Sequence, residues 1–374
     1  MKTTILKENL KEGLNIVSRI AQKNLTLPIL GSVLLSCEKN FTCLKATDLE
    51  MGVKYWFLSK VEKEGQVACS LKVLQGLFDT LPADKIVVRI EDKKLLLESE
   101  GFQVQLNTLD PEEFPIIPEP ETKASFAIEI RQIIEGLSQV VDMTATSMIK
   151  PEISGVYFRF NNNILKMVAT DSFRLAEKTV YLNKKVEQDV AFILPQRACR
   201  EIINAFGDKS GDLWFYFSPN QLLLEMMMAE TNHPKIQFFS RILEGEYPNY
   251  QEIIPSEFRF KIYLQKDEFL RHLKTASLFS NKISEVKIKI KPDKQEIELE
   301  GENPEVGHSN SVLPAKIEGK DKAEISFNWR FLADGLSQIK DKELSFSLSK
   351  DDGPAVLQAR GDADYFYLLM PLRV

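Results

Sequence analysis

The chain says much the same thing three times, at domain-sized spacing, and that recurrence constrains its fold more than any other feature. A helical phrase at 8–17, carrying Leu10, Gly13, Leu14 and Val17, returns at 130–137 with Ile133, Gly136 and Leu137, and again at 267–274 with Phe269, Leu270 and Leu273. The copies stand roughly one third of the chain apart, far beyond the short period of a solenoid, so each repeat has the size of a domain. The second half of each repeat matches as well. Helices are predicted over 71–81, 196–206 and 329–339, each followed by alternating strand pairs and a closing strand. Those strands lead to Glu113-Phe114-Pro115, Glu246-Tyr247-Pro248 and Met370-Pro371-Leu372. Each domain is thus expected to contain two halves, each a helix with its strands.

With 374 residues the chain has room for three cores. The repeat sets the expected boundaries at 1–122, 125–254 and 257–374, with proline-bearing linkers over 114–122 and 247–256. Short alternating strands such as 41–46, 85–90, 95–98, 213–217, 222–225 and 286–290, several joined by tight polar turns, predict antiparallel sheets. Two helices for many strands define an α+β class, with the helices on one face of the sheets.

Four cysteines (Cys37, Cys43, Cys69, Cys199) form no CxxC pair and sit in or beside apolar runs, which reads as buried thiols in a reducing cytoplasm. The N-terminus lacks the apolar stretch of a signal peptide, and no run is long enough to span a bilayer, so a protein without membrane association is expected. Asn24 and Asn40 match the glycosylation sequon, which has no meaning in that compartment. The three histidines (His233, His272, His308) are scattered, and there is no HExxH, P-loop or GxGxxG. No metal, cofactor or catalytic constellation is implied.

Net charge is −6, which by itself argues against a nucleic-acid partner. The first helix qualifies that. At 100° per residue Leu10, Leu14, Val17 and Ala21 fall on one side, while Lys7, Lys11, Asn15, Ser18 and Gln22 fall on the other with Arg19 and Lys23 flanking, a solvent face without an acid. The other predicted helices add Arg131, Arg197, Arg200, Lys266, Arg271, Lys274, Arg330 and Lys340, while many acids lie in loops and strands. The plain alternative is a set of solvated Lys/Arg faces. A second feature is Leu278-Phe279, two large apolar residues that leave the stripe formed by Phe269, Leu270, Leu273 and Ala276 and so mark a contact surface.

The phrase 168–176 contains Asp171-Ser172, which could pair a base with a nucleophile. No third group is suggested, and the echo in Ala46-Thr47-Asp48-Leu49-Glu50 points instead to a strand end and a turn anchored by the Asp side chain. Here the chain resembles a family over its whole length: the bacterial DNA sliding clamps, the beta subunit of the DNA polymerase III holoenzyme. The matching segments are 26–31 (Thr-Leu-Pro-Ile-Leu-Gly), 46–50, 169–171 with 174–176, 246–250, 303–305 and 370–374, in order.

The resemblance implies three repeated clamp domains per chain and a head-to-tail homodimer that closes a six-domain ring with helices inside. DNA would pass through it, held without sequence preference by lining cations, for which the candidates are Lys7, Lys11, Arg19, Lys23, Arg197, Arg200, Lys266, Arg271 and Lys274. It also implies a groove between the second and third domains that takes short linear motifs of replicative polymerase and clamp-loader subunits. The corresponding positions are Ile153, Thr170, Ser172, Phe173, Arg174, Leu175, Pro248, Ile253, Asn328, Phe331, Pro354, Leu368, Met370, Pro371 and Leu372, mostly apolar with a few polar anchors. Across the dimer, Leu278 and Phe279 would meet Val104 and Leu106, with Lys72 near Glu305. The chain departs from the family in having Ser172-Phe173 where Gly-His is common, Glu252 where some members have Arg, and Lys150-Pro151-Glu152 in place of a segment that in some members contacts DNA with aromatics. Two other classes compete: a hydrolase using Asp171 and Ser172, and a scaffold that binds protein independently of DNA.

Overall fold

Every α-helix in the described part of the chain starts directly off a strand. The computed structural model describes residues 1–21, 26–80, 84–118, 125–147, 149–349 and 352–373; Lys23, Leu81, Val374 and linker positions 119–122 lie outside them. The helices are α1 (Lys7–Val17), α2 (Leu71–Thr80), α3 (Ile130–Val140), α4 (Gln196–Phe206), α5 (Lys266–Ser277) and α6 (Trp329–Gln338). They follow the strands Lys2–Leu6, Gly65–Ser70, Ser125–Glu129, Arg174–Pro195, Phe260–Gln265 and Ala323–Asn328 respectively. Two helices per repeat are therefore present as the recurrence predicts.

The ends need small corrections. The periodicity carries the first helix through Ala21 towards Lys23, whereas α1 stops at Val17 and the chain turns, burying Ile20 and leaving Arg19 exposed on the turn. α6 stops one residue short of the predicted 339, where Ile339 takes up extended backbone angles. Its start is set by Asn328, whose side chain accepts a hydrogen bond from the Arg330 amide and so satisfies one of the free N–H groups of the first turn.

The chain divides into two compact units, one of Met1–Ile134 with Arg197–Leu243, the other of Glu135–Gln196 with Glu244–Val374. The first unit contains a 13-stranded antiparallel sheet. In its middle, Ser32–Glu38, Phe41–Thr47, Met51–Leu58 and Pro234–Arg241 lie side by side, so a strand of the second repeat completes the sheet of the first, with Phe238 opposite Val53. In the second unit a 7-stranded sheet joins Arg174–Pro195 to Tyr365–Leu369, with Leu175 opposite Leu368, and a separate 4-stranded sheet ends on Gly307–Pro314. Pairing of this kind satisfies backbone groups that a lone domain would expose along its edge.

Helix glycines show why the repeated phrase is kept short of bulk. Gly13 of α1 lies against the Tyr55 ring, so closely that a Cβ there would stand 2.5 Å from Tyr55 Cδ1. At the equivalent point of α3, a Cβ on Gly136 would overlap Met167. The segment 26–31 has an equally local role: Pro28–Gly31 forms a 3-10 turn that drives Ile29 and Leu30 into a cluster with Leu34, Ala68 and Phe114. All four cysteines are free and buried, as their apolar surroundings predict. Burial pushes the Cys43 and Cys69 thiols up to about 12.

Candidate partner groove and nucleic-acid interface

The phrase around Asp171 is a turn, as the echo in the first repeat predicts. Asp171 Oδ1 accepts hydrogen bonds from the backbone amides of Phe173 and Arg174, both at 3.0 Å. Thr170 Oγ1 accepts from the Ser172 amide at 3.2 Å and donates to the Arg174 carbonyl at 2.7 Å. The turn holds Ser172 at a φ of 78°, a left-handed conformation uncommon for a residue with a side chain. Phe173 is thereby lifted off the strand and stands 61 % exposed.

The other carboxylate oxygen, Oδ2, accepts from Arg174 Nε at 2.9 Å. Arg174 in turn donates to Asp334 of α6 and lays its guanidinium over the Phe331 ring, 4.5 Å from the centroid. Burial opposes the Arg174 charge, but Tyr367, Asp334 and Asp171 outweigh it and hold the guanidinium above its ordinary range. With both oxygens of Asp171 committed to these bonds, Asp171 is the anchor of this turn.

Phe173 stacks on Phe331, with ring centroids 6.4 Å apart, and its carbonyl accepts from the Met370 amide at 2.8 Å. The Leu372 amide donates to the Ser326 carbonyl at 2.8 Å, fixing the C-terminal segment to the strand that leads into α6. Beneath lies an apolar cluster of Val168, Leu175, Tyr250, Val356 and Leu368, against which Met370, Ile254 and Phe258 pack. Beside it opens a cleft of about 740 Å³ lined by Ile253, Ile254, Pro255, Phe258 and Pro354. The expected groove positions Thr170, Ser172, Phe173, Arg174, Leu175, Phe331, Leu368 and Met370 are thus linked by bonds and packing, while Ile253 and Pro354 meet in the cleft. Pro248 and Pro371 lie at the ends of the flanking segments, and Pro248 is exposed. Ile153 is buried, its carbonyl bonded to the Ala145 amide, and Asn328 is occupied in capping α6.

Sequence reasoning missed the support of this groove. The Tyr250 hydroxyl donates to Glu177 Oε2 at 2.6 Å, and Lys166 Nζ donates to Glu177 Oε1 at 2.7 Å, with Glu177 only 4 % exposed. A buried carboxylate needs such partners, and here they tie the 250–254 segment to the sheet. Burial, then the Glu177 charge, raises the Tyr250 phenol above its ordinary value. The signal in the sequence was a lone acid in the strand segment 174–182, and the register sets it diagonally from Lys166 on the neighbouring strand.

Of the cations expected to face nucleic acid, Lys7 and Lys11 lie on α1, Arg197 and Arg200 on α4, and Lys266, Arg271 and Lys274 on α5, while Arg19 lies on the turn after α1. Arg19, Arg200, Arg271 and Lys274 are exposed. Lys11 pairs with Asp79 of α2 at 3.2 Å, Arg197 pairs with Asp48, and Lys266 Nζ donates to the Ile339 carbonyl at 2.9 Å. Lys7 is half-buried. The acid-free face predicted for the first helix is modified accordingly: Glu8 is exposed, while Glu12 turns inward to Lys209 and Lys235 at 2.8 and 3.2 Å.

Among the described residues, two of the open or partly open strand edges lie beside exposed apolar side chains, one in each unit. Phe102–Leu109 pairs along its length with Lys94–Ser99, but on its other side only Thr108 and Leu109 are paired, leaving Val104 and Leu106 on a free margin beside exposed Phe102. Gly307–Pro314 ends the 4-stranded sheet, and next to it Leu278 is 72 % and Val306 61 % exposed. Phe279 packs beside Gly307. Lys72 and Glu305 are both exposed.

This architecture is that of the DNA clamps. The solved sliding clamp of Bacillus subtilis superposes with a TM-score of 0.93 at 24% identity, covering 100% of this chain and 99% of that one. The Pseudomonas aeruginosa clamp, solved bound to griselimycin, gives 0.93 at 22% identity with full coverage of both chains. The family models for the DNA polymerase III beta subunit match in order: the N-terminal domain over residues 1–118, the central domain over 127–249 and the C-terminal domain over 251–373. The chain therefore belongs to the DNA polymerase III beta subunit family, with three clamp domains. Curated relatives include the beta sliding clamps of Synechococcus elongatus, 26% identical over 381 residues with both chains fully covered, and of Staphylococcus aureus, 24% identical over 382 residues with 100% and 99% covered. No helix among the described residues is long and apolar enough to cross a membrane.

Proposed function

We propose that this protein is a replication clamp without a reaction of its own. Two copies join head to tail into a six-domain ring that encircles duplex DNA in the cytoplasm and tethers the replicative polymerase. The observation that carries this reading is the succession of three beta-subunit domains, in order, along essentially the whole chain. The open edges support it further. A strand edge with an adjacent apolar patch is a hazard in a monomer and an interface when paired, and the two patches are unlike one another, as a head-to-tail contact requires. Leu278 and Phe279 then pack on Val104 and Leu106 of the partner subunit, with Lys72 and Glu305 as a peripheral pair worth little alone. The domains run over 1–122, 125–254 and 257–374.

Lys7, Lys11, Arg19, Lys23, Arg197, Arg200, Lys266, Arg271 and Lys274 line the hole, holding phosphates without reading bases. Arg19, Arg200, Arg271 and Lys274 contribute to that field from exposed positions; Lys11, Arg197 and Lys266 also make contacts within the chain. Polymerase and clamp-loader subunits dock by short motifs in the groove formed by Phe173, Phe331, Met370 and the neighbouring cleft. The turn presents Phe173, the C-terminal segment walls one side, and the tyrosine-glutamate support keeps the 250–254 segment in place.

The groove is tested by titrating a peptide with a glutamine followed by alternating leucine and phenylalanine. It is expected to bind in the micromolar range, on the order of 8 kcal/mol, because a few buried anchors must offset the ordering of a flexible ligand. Deleting residues 370–374 should remove that micromolar binding from the folded protein. Unchanged affinity after the deletion would reject this groove.

A further inference from the structure

The turn that builds the groove exists twice, bond for bond. In the first unit Asp48 Oδ1 accepts from the Glu50 and Met51 amides at 3.1 and 2.7 Å, Thr47 Oγ1 accepts from the Leu49 amide at 3.1 Å and donates to the Met51 carbonyl at 2.7 Å, and Leu49 has a φ of 77°. These are the bonds of Asp171, Thr170 and Ser172. The surroundings repeat too. The Arg241 amide donates to the Glu50 carbonyl at 2.9 Å, as Met370 does to Phe173, and Leu223 faces Phe239 as Val356 faces Leu368. The segment 116–118 (Ile-Ile-Pro) repeats 253–255, and Ile117 packs on Leu223 and Phe239. Over this frame opens a cleft of about 430 Å³, lined by Leu49, Ile116, Ile117, Phe239, Gln221 and Arg241 among others. Leu49 is 46 % and Ile116 92 % exposed beside it.

We propose that this cleft of the first unit is a second docking site for short linear peptides, one that prefers an acidic residue beside the apolar anchor. The inference rests on the peptide reading of the groove in the second unit, whose frame it shares. The two differ on the rim, where Glu50 and Arg241 replace Phe173 and Met370. Glu50 and Arg241 pair at 3.6 Å with both side chains more than 60 % exposed, 65 % and 62 %. So open a pair contributes little, and an incoming carboxylate can take Glu50's place on Arg241. The rim of the first unit offers a solvated charged pair where the second offers Phe173 and Met370, so the site is the weaker of the two. Exposed Ile116 and Leu49 are the surface that the peptide would cover.

The test uses the full-length protein and isothermal titration with the probe acetyl-Gln-Leu-Asp-Leu-Phe-amide, and with the same peptide carrying Lys in place of Asp. Two peptides per chain are expected, one of them bound about tenfold more weakly. Ile116→Asp should remove only the weaker event. Leu49→Asn, which suits the left-handed turn and so keeps the fold, should weaken it in the same way. Arg241→Glu should reverse the preference between the Asp and Lys peptides at that site alone. If wild type binds a single peptide, lost with Phe173→Asp and indifferent to Ile116→Asp, the second site is wrong and the groove of the second unit stands. If Phe173→Asp leaves one peptide that Ile116→Asp then removes, the second site stands whatever becomes of the first. No peptide bound to wild type would overturn it.

Discussion

Tyr250 is the residue on which the groove of the second unit hangs, since its hydroxyl meets a buried carboxylate from a distant strand. Tyr250→Phe leaves Glu177 with Lys166 as its remaining charged donor and should cost about 1–3 kcal/mol in urea unfolding, the range for a buried hydrogen bond to a charged group. Alkali attacks the same place. Burial, then the Glu177 charge, raises the folded Tyr250 above the ordinary 10.0, so the native state keeps a proton that the unfolded chain releases. Its contribution is complete below about pH 10 and is lost as pH rises beyond it. Cys43 and Cys69 act in the same direction from their ordinary 9.0 to about 12. Stability measured by chemical denaturation should therefore fall progressively above about pH 9, and a flat profile to pH 11 would contradict these assignments. At this scale the Asp171 turn was legible, because an Asp two and three residues before its amide donors is a local pattern. The Arg174–Asp334 and Glu177–Tyr250 contacts were not, because their partners stand 160 and 73 positions away.

The elements were more legible than their pairings. Helices recur because the same apolar spacing recurs, and Gly13 and Gly136 recur because each lies against a bulky side chain of the sheet. Gly13→Ala should cost about 1–3 kcal/mol through overpacking against Tyr55, read as a lower midpoint in urea with unchanged slope. The end of α1 was misjudged since periodicity alone carries no stop signal, and the chain turns at Ser18 without a glycine. Nor could the sequence reveal that Pro234–Arg241 pairs with Met51–Leu58, a ladder between repeats set by tertiary packing. The open edges make a prediction at the same scale: Leu278→Asp with Phe279→Asp should convert the proposed dimer to monomer in light scattering. A mass unchanged from wild type would mean that this interface is misassigned.

For the whole molecule, a chain of net charge −6 needs its cations gathered in one place if it is to encircle DNA as proposed. A protein holding DNA by phosphate contacts alone loses affinity steeply with salt, since each neutralised phosphate releases a counterion. A closed ring escapes that rule, because departure requires opening an interface or reaching a DNA end. Replacing Arg19, Arg200, Arg271 and Lys274 by Glu should accordingly impair loading more than it shortens residence on a circle. The most direct measurement is retention on DNA by gel filtration after loading by a clamp loader onto nicked circular DNA. The protein should stay with the circle at salt concentrations that abolish equilibrium binding, and should be lost promptly once the circle is cut to give free ends. Equal lifetimes on circular and linear DNA would contradict encirclement and leave a weak electrostatic binder.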